Sequence, residues 1–313
     1  MMFNAGVYIF YYHDISSCPD VPLTLRTSPG RFFQEISFIE HHFNIIGFNE
    51  AISLLRLAAK SDKKAQISVP YAVINFDDGF LSFSETVYPY FKRARIPCTL
   101  FLNGSFVLQR TVADAISLEI IKSWPEEKLS DYLPGIPNKK LRQYVYDQSS
   151  LNLHHELNEW TASSRVKRKL YMDEDDLCSL DPHLVRFGNH TFHHLKLSNL
   201  SKVDQLSEVS TNHDYLSRYS NYDNLMAIPY GGYDSFDENT VEIARDFSDN
   251  VVITAVGGIS HQMRDDKILD IERIGFNNNK ERISRHIKFR THQMGWMMRK
   301  FTSLKGIFGL IAH

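Results

Sequence analysis

Ala72-Val73-Ile74-Asn75-Phe76-Asp77-Asp78-Gly79 is an apolar run that ends on two carboxylates and a glycine. The run reads as a buried strand, because β-branched and aromatic residues follow one another with little polar alternation. Its ending is chemically costly. Adjacent carboxylates repel, and burial penalises their ionisation. Either Asp-Gly is a turn here, or a cation resolves the conflict, bound by one carboxylate and keeping its neighbour ionised. The same layout recurs along the chain. Val7–Tyr12 leads into His13-Asp14, Leu184–Phe187 into Gly188-Asn189-His190-Thr191-Phe192-His193-His194, and Met226–Ile228 into Pro229-Tyr230-Gly231-Gly232. Cys98–Leu102, Val251–Ala255 and Ile271–Ile274 are further strand-like runs.

Helical patterns alternate with these strands. Phe32–His42 repeats apolar residues at Phe33, Ile36 and Ile39, and Glu50–Ala59 does so at Ile52, Leu54 and Leu55. Ser201 reads as an N-cap, with Asp204 three residues on and Val203, Leu206 and Val209 along one face of the helix it opens. The acidic run Asp173 to Asp176 is expected to open a helix over Asp175–Leu180. This alternation predicts an α/β fold, a deformed (β/α) barrel of about seven parallel strands. A mostly helical insertion, about 105–182, interrupts it, and the barrel is expected to occupy 1–279. In such folds the strand C-termini share one face, so the four polar clusters should converge there.

Several function classes drop out on composition. The chain has 313 residues, 43% hydrophobic and 12% aromatic, enough for a sizeable core. Lys plus Arg number 35 against 37 Asp plus Glu, which argues against a nucleic-acid coat. No run approaches the ~20 apolar residues of a membrane span. Three distant cysteines, Cys18, Cys98 and Cys178, suggest a reducing compartment rather than a disulfide framework or a cysteine zinc site.

Among the polar clusters, His190 and His194 are spaced to share one side of a helical turn, where both imidazoles reach one cation. Two histidines plus one carboxylate leave an open position for water. The bland alternative is a pair of hydrogen-bonded or surface histidines. His193, between them, is expected to point elsewhere. His13 is either a core imidazole or a general acid, since its intrinsic pKa lies near neutrality. Pro229-Tyr230-Gly231-Gly232 is either a plain loop or the source of a backbone N–H for a developing oxyanion.

Together these clusters resemble the polysaccharide deacetylases, the NodB-homology or carbohydrate esterase family 4 group. Phe76-Asp77-Asp78-Gly79-Phe80 resembles the family's first motif, His190-Thr191-Phe192-His193-His194 its second, and Ile228-Pro229-Tyr230-Gly231 its third. Ile271-Glu272-Arg273-Ile274 falls where a later arginine motif often lies. Tyr11-Tyr12-His13-Asp14-Ile15, with Arg31-Phe32-Phe33 and Phe43-Asn44-Ile45-Ile46, is similar to a circularly permuted branch whose histidine strand comes first. The resemblance spans roughly Val7 to Phe276. It implies a divalent metal, commonly Zn2+, held by Asp78, His190 and His194. It further implies Asp77 as general base, His13 as general acid, and Pro229-Tyr230 as the oxyanion turn. Many relatives place an arginine two residues before the motif proline to restrain the base. Ala227 stands there in this chain, and Arg273 is the candidate replacement.

The implied reaction is metal-dependent hydrolysis of an N-acyl group, N-acetyl above all, from an amino sugar of a bacterial polysaccharide or envelope glycan. The alternatives are a non-catalytic glycan-binding barrel, or the same site acting on a formyl amide or O-acyl ester. Residues 280–313 form a basic tail in which Met297, Phe301, Leu304, Phe308 and Ile311 recur at helical spacing. Such a helix suits either packing on the barrel or on a partner chain, or peripheral contact with an anionic membrane through 290–312. The apolar start lacks a basic leader, so a cytoplasmic protein, associated with the inner membrane face, is the expectation.

Overall fold

A computed structural model describes residues 3–19, 21–60, 67–108, 111–162, 169–249, 251–255, 262–263 and 269–276, together with Ile283 and Ile287. The first elements are β1 (Gly6–Tyr12), α1 (Pro29–His42), β2 (Asn44–Ile45), α2 (Phe48–Lys60), β3 (Pro70–Asp77), α3 (Tyr88–Ala94) and β4 (Cys98–Leu102). A helical stretch follows: α4 (Gly104–Leu108), α5 (Asp114–Lys122), α6 (Glu126–Tyr132), α7 (Leu141–Asp147), α8 (Leu151–Ala162) and α9 (Glu174–Cys178). The chain then returns to alternation through β5 (Val185–Asn189), α10 (Lys202–Leu216), β6 (Tyr222–Met226), α11 (Glu238–Phe247) and β7 (Val251–Thr254). The short strands β8 (Gln262–Met263), β9 (Leu269–Glu272) and β10 (Ile274–Gly275) come last.

The fold is α/β with mostly parallel strands. The large sheet runs β10-β1-β3-β4-β5-β6, with β2 also on β3, and β7, β9 and β8 form a second sheet. The two sheets meet at both edges. Ala227, just past β6, bridges Ile253 of β7, and β9 continues through Arg273 into β10, which pairs with β1. The result is a ring of strands whose ladder thins after β6 and is interrupted at Arg273. The expected strand Met226–Ile228 is corrected to Tyr222–Met226 for a related reason. Beyond Met226 successive amides turn to different strands, Ala227 N to Asn189 O at 2.9 Å and Ile228 N to Ile253 O at 2.9 Å.

Two-residue periodicity sorts each strand between two cores. Val7 and Ile9 of β1 join Val73, Phe101, Leu225, Val251, Ile253 and Ile271 in one cluster, which α2 completes with Phe48, Ile52 and Leu55. Tyr8, Phe10 and Tyr12 face the other way, onto Phe32, Ile36 and Ile39 of α1. Both faces of the sheet are therefore covered, which is why the strands read as continuous apolar runs. Gly188 in β5 lets the Phe101 ring pass, since a Cβ there would lie 2.5 Å from it. Gly188→Ala is expected to destabilise the fold by about 1–3 kcal/mol, read as a lower urea midpoint at unchanged slope.

The apolar face read for α10 is not the face that the helix buries. Val203 is 75% and Leu206 42% exposed, while Gln205, Glu208 and Asn212 are buried beside Val209. Polar groups face inward because they hold backbone and side chains around the β5 end, as described below. Ser201 does cap the helix, accepting from Asp204 N. The acidic run forms a capping box, Asp173 with Asp176, and the helix it opens is Glu174–Cys178. Within the insertion, Leu118, Ile121, Trp124, Leu129, Leu141, Val145, Leu153 and Leu157 form their own apolar cluster.

No helix among the described residues is long and apolar enough to cross a membrane. In the basic tail, Ile283 and Ile287 pack on the outer core, Ile287 fully buried. The rest of 280–313, with the 290–312 membrane reading, lies outside the described residues.

Candidate active site

Asp77 is the last residue of β3, and the chain then turns sharply through Asp78 (φ 68°) and Gly79 (φ 72°). A left-handed aspartate is uncommon and costs energy unless its surroundings hold it. Here Asp78 N donates to Phe101 O at 3.0 Å, locking the turn onto β4. The turn sends the two carboxylates to different partners.

The second cluster leaves β5 without forming a helix, correcting the expectation of a helical turn. Thr191 (φ 63°) and His194 (φ 61°) are both left-handed, and the loop between them folds His194 back beside His190. Their ring centroids are 4.8 Å apart. Polar side chains hold this loop. Asn189 Oδ1 accepts from Thr191 N and from Asn212 Nδ2, each at 2.8 Å, and Asn212 Nδ2 also donates to Leu102 O. Asn103 Nδ2 donates to the carbonyls of His190 and Thr191. His193, for which no role is expected, binds Glu208, with Nδ1 to Oε1 at 2.6 Å.

His190 Nδ1 lies 2.8 Å from Ala227 O. That bond fixes Nδ1 as the protonated nitrogen and leaves the Nε2 lone pair free to bind a metal. His190 Nε2 stands 3.7 Å and His194 Nε2 3.6 Å from Asp78 Oδ1. The three ligand atoms lie within 4.8 Å of one another, the one such group among the described residues. Asp78 Oδ1 is buried with no hydrogen-bond partner. Burial first, and then the charge of Asp77, pushes the Asp78 carboxyl well above its usual range. Burial lowers both imidazoles, His194 further because His190 and His13 crowd it. Neutral imidazoles and an orphaned carboxylate aimed at one point are the donor set a divalent cation takes. The residues therefore fit the metal that the resemblance implies.

Asp77 faces the other way. Its Oδ1 accepts from Arg273 Nη1 at 2.7 Å, and its Oδ2 lies 4.0 Å from His13 Nε2 and 3.9 Å from His190 Nε2. Burial opposes its charge most strongly, but Arg273, His190 and His13 outweigh burial and hold it at about 2. Arg273 is 1% exposed. It also donates to Asn75 Oδ1 at 3.0 Å and Thr254 O at 3.2 Å, and its guanidinium lies 4.7 Å over the Tyr11 ring. Its position at the break between β9 and β10 lets it cross to β3. Burial lowers His13 to about 4, against the opposing pull of Asp77.

Tyr230 (φ 62°) carries the third motif alongside, its ring 5.1 Å from that of His194. Ala227 offers its carbonyl to His190, and Pro229 precedes the turn. A cavity of about 880 Å³ is lined by His13, Asp77, Asp78, His190, His194, Tyr230 and Arg273 together. That volume suits a small ligand or a short saccharide segment.

Glu208, Asn212 and Asn189 escaped the sequence reading. A signal exists, since Gln205, Glu208 and Asn212 recur at helical spacing, but such a stripe ordinarily marks the solvent face. Added Zn2+ should raise the Tm of the wild-type protein and leave that of Asp78→Asn unchanged. A ligand at 100 times its Kd adds about 2.7 kcal/mol. Apo-protein stability should hold steady or rise, because the like-charge conflict with Asp77 is gone.

A family model described as polysaccharide deacetylase matches residues 64–248, more than half of the chain. No curated protein matches. The chain is similar in fold to several solved structures. One is the Streptococcus pyogenes deacetylase PplD in complex with acetate, at 15% identity and a TM-score of 0.59, covering 91% of this chain and 98% of that one. Another is IcaB from Ammonifex degensii, at 15% identity and a TM-score of 0.56, covering 88% and 94%. A de-N-acetylase from Aggregatibacter actinomycetemcomitans follows at 11% identity and a TM-score of 0.53, covering 90% and 99%.

Proposed function

Because this chain belongs to the polysaccharide deacetylase family, we propose that it hydrolyses an N-acyl group, in the first place N-acetyl, on an amino sugar of a bacterial glycan. The observation that carries this reading is the division of labour between adjacent carboxylates. Asp78 Oδ1 faces two imidazole lone pairs, while Asp77 has one oxygen on Arg273 and the other turned toward His13 and His190.

Asp78, His190 and His194 would hold a divalent cation, for which we favour Zn2+. Such an ion supplies Lewis acidity toward a carbonyl oxygen and a water of lowered pKa. Asp77 Oδ2 takes a proton from the attacking water, since Oδ1 is committed to Arg273. The Tyr230 N–H, presented by its left-handed turn, donates to the oxyanion that develops on the acyl carbon. His13 protonates the leaving nitrogen, without which an amine departs poorly. Burial keeps His13 neutral at rest, so it takes a proton from solvent as negative charge builds on the substrate and passes it to the nitrogen, while Asp77 returns the proton of the water to solvent. The C–N bond breaks, and acetate and a free amine result.

Acetate release from an N-acetylglucosamine oligomer checks the proposal. Activity should disappear on chelation and return with added Zn2+. A wild-type protein loaded with metal that releases no acetate from that oligomer, while cleaving a formyl amide or an O-acetyl ester, would move the reading to that bond.

A further inference from the structure

The helical insertion brings a carboxylate to the cavity that the mechanism above leaves without a task. Asp114 is the first residue of α5 and is 4% exposed, yet it lines the same cavity as Asp78 and His194. Its Oδ1 lies 2.7 Å from Nδ1 of His154, which sits fully buried on α8. Its Oδ2 is buried and has no hydrogen-bond partner among the described residues. A buried carboxylate oxygen without a donor is costly.

The direction of this carboxylate is set from behind. Asn158 Nδ2 donates to His154 O at 2.9 Å and lies 3.4 Å from His154 Nε2. Asn158 is itself fixed to Val112, accepting from its N at 2.9 Å and donating to its O at 3.2 Å. His154 Nδ1 is thereby held on Asp114, two residues from the anchor. In front lies the third-motif turn. Tyr230 is 36% exposed because it lines the cavity, yet burial, with Asp114's charge next, holds its phenol protonated above the usual range. Tyr146 of α7 ties the insertion to the same turn, bonding Asp234 at 2.8 Å and meeting the Tyr230 ring edge-on at 5.2 Å.

We propose that Asp114, oriented by His154, is a specificity-determining residue whose Oδ2 accepts a hydrogen bond from a hydroxyl of the sugar bearing the N-acyl group. This rests on the deacetylase reading and extends it to the insertion. A pair that merely fastened α5 to α8 would have no need to line the cavity or to leave one carboxylate oxygen without a donor. A sugar hydroxyl offers the missing donor, in a cavity that Asp78, His190 and His194 also line.

Steady-state kinetics on two substrates test this. One is the N-acetylglucosamine oligomer, and the other is p-nitrophenyl acetate, which has no hydroxyl to donate. For Asp114→Asn, kcat/KM on the oligomer should fall roughly tenfold or more beyond any fall on the aryl acetate, as expected for losing a bond to a charged acceptor. The loss should sit mainly in KM, with Zn2+ content unchanged. Asp114→Glu keeps the charge and moves it by one methylene; it should show the same selective loss and carries the test if the asparagine variant does not fold. Equal falls on both substrates with a lower Tm mean a structural pair and overturn the inference. Unaltered selectivity overturns it alone, whereas a wild-type protein inactive on both substrates overturns the deacetylase reading as well.

Discussion

Asp77→Asn should lower the deacetylation rate by about 10²–10⁴-fold, the usual contribution of a general base, while the protein keeps its metal. The amide fills the same space, and its oxygen can still accept from Arg273, which holds Asp77 Oδ1 at 2.7 Å. What disappears is the proton acceptor at Oδ2. Asp78, His190 and His194 are untouched, so Zn2+ content measured by elemental analysis should match the wild type. Turnover within a factor of two of wild type would remove Asp77 from the mechanism. Loss of metal together with activity would instead make Asp77 a ligand.

Arg273→Met carries the largest expected cost in stability. The guanidinium is 1% exposed and its partner Asp77 2%, so deleting it strands a buried carboxylate. Breaking a buried pair from one side costs about 3–5 kcal/mol, and the Asn75 Oδ1 acceptor is emptied at the same time, while Thr254 O keeps the backbone N–H of residue 273. Methionine fills part of the volume between Tyr11 and Phe101 but donates to neither Asp77 nor Asn75. A urea midpoint unchanged from wild type would contradict this account. A pH signature accompanies it. Asp77 is held at about 2 in the fold, below the 3.8 of an unperturbed aspartate. Its contribution, about 2 kcal/mol at 1.36 kcal/mol per pKa unit, is complete above pH 4 and is lost as pH falls through 2. In Arg273→Met that acid-side slope should shrink, because the chief cause of the lowered value is gone.

Arg273 was reached from the sequence only through the resemblance, as the candidate replacement for the arginine that Ala227 lacks. Asp77, Asp78, His190 and His194 were legible because their chemistry is local. Two carboxylates ending an apolar run conflict with each other, and two histidines four residues apart share a neighbourhood. The backbone that unites the histidines was not legible. Thr191 and His194 are left-handed residues in a loop, and no propensity announces a left-handed threonine. Arg273 lies 196 residues from Asp77. Only the neighbouring positions of β10, β1 and β3 in the sheet bring them together. The stripe Gln205, Glu208, Asn212 went unread for a similar reason. Polar residues at helical spacing mean solvent unless something polar waits beneath them, and here Asn189, His193 and the Leu102 carbonyl do.

The amino-acid sequence by itself determined the alternation of apolar strands and amphipathic helices, and with it the placement of polar clusters at strand ends. Hydrophobic burial and backbone periodicity act within a few residues, so their record is local and readable. Tertiary structure alone decided which carboxylate oxygen meets which imidazole, that Arg273 neutralises Asp77, and that Asp114 and His154 of the insertion come to the cavity wall. Those are distances between residues tens to hundreds of positions apart. Electrostatic and hydrogen-bonding energies change steeply over a single ångström, and no spacing along a chain encodes an ångström across a fold.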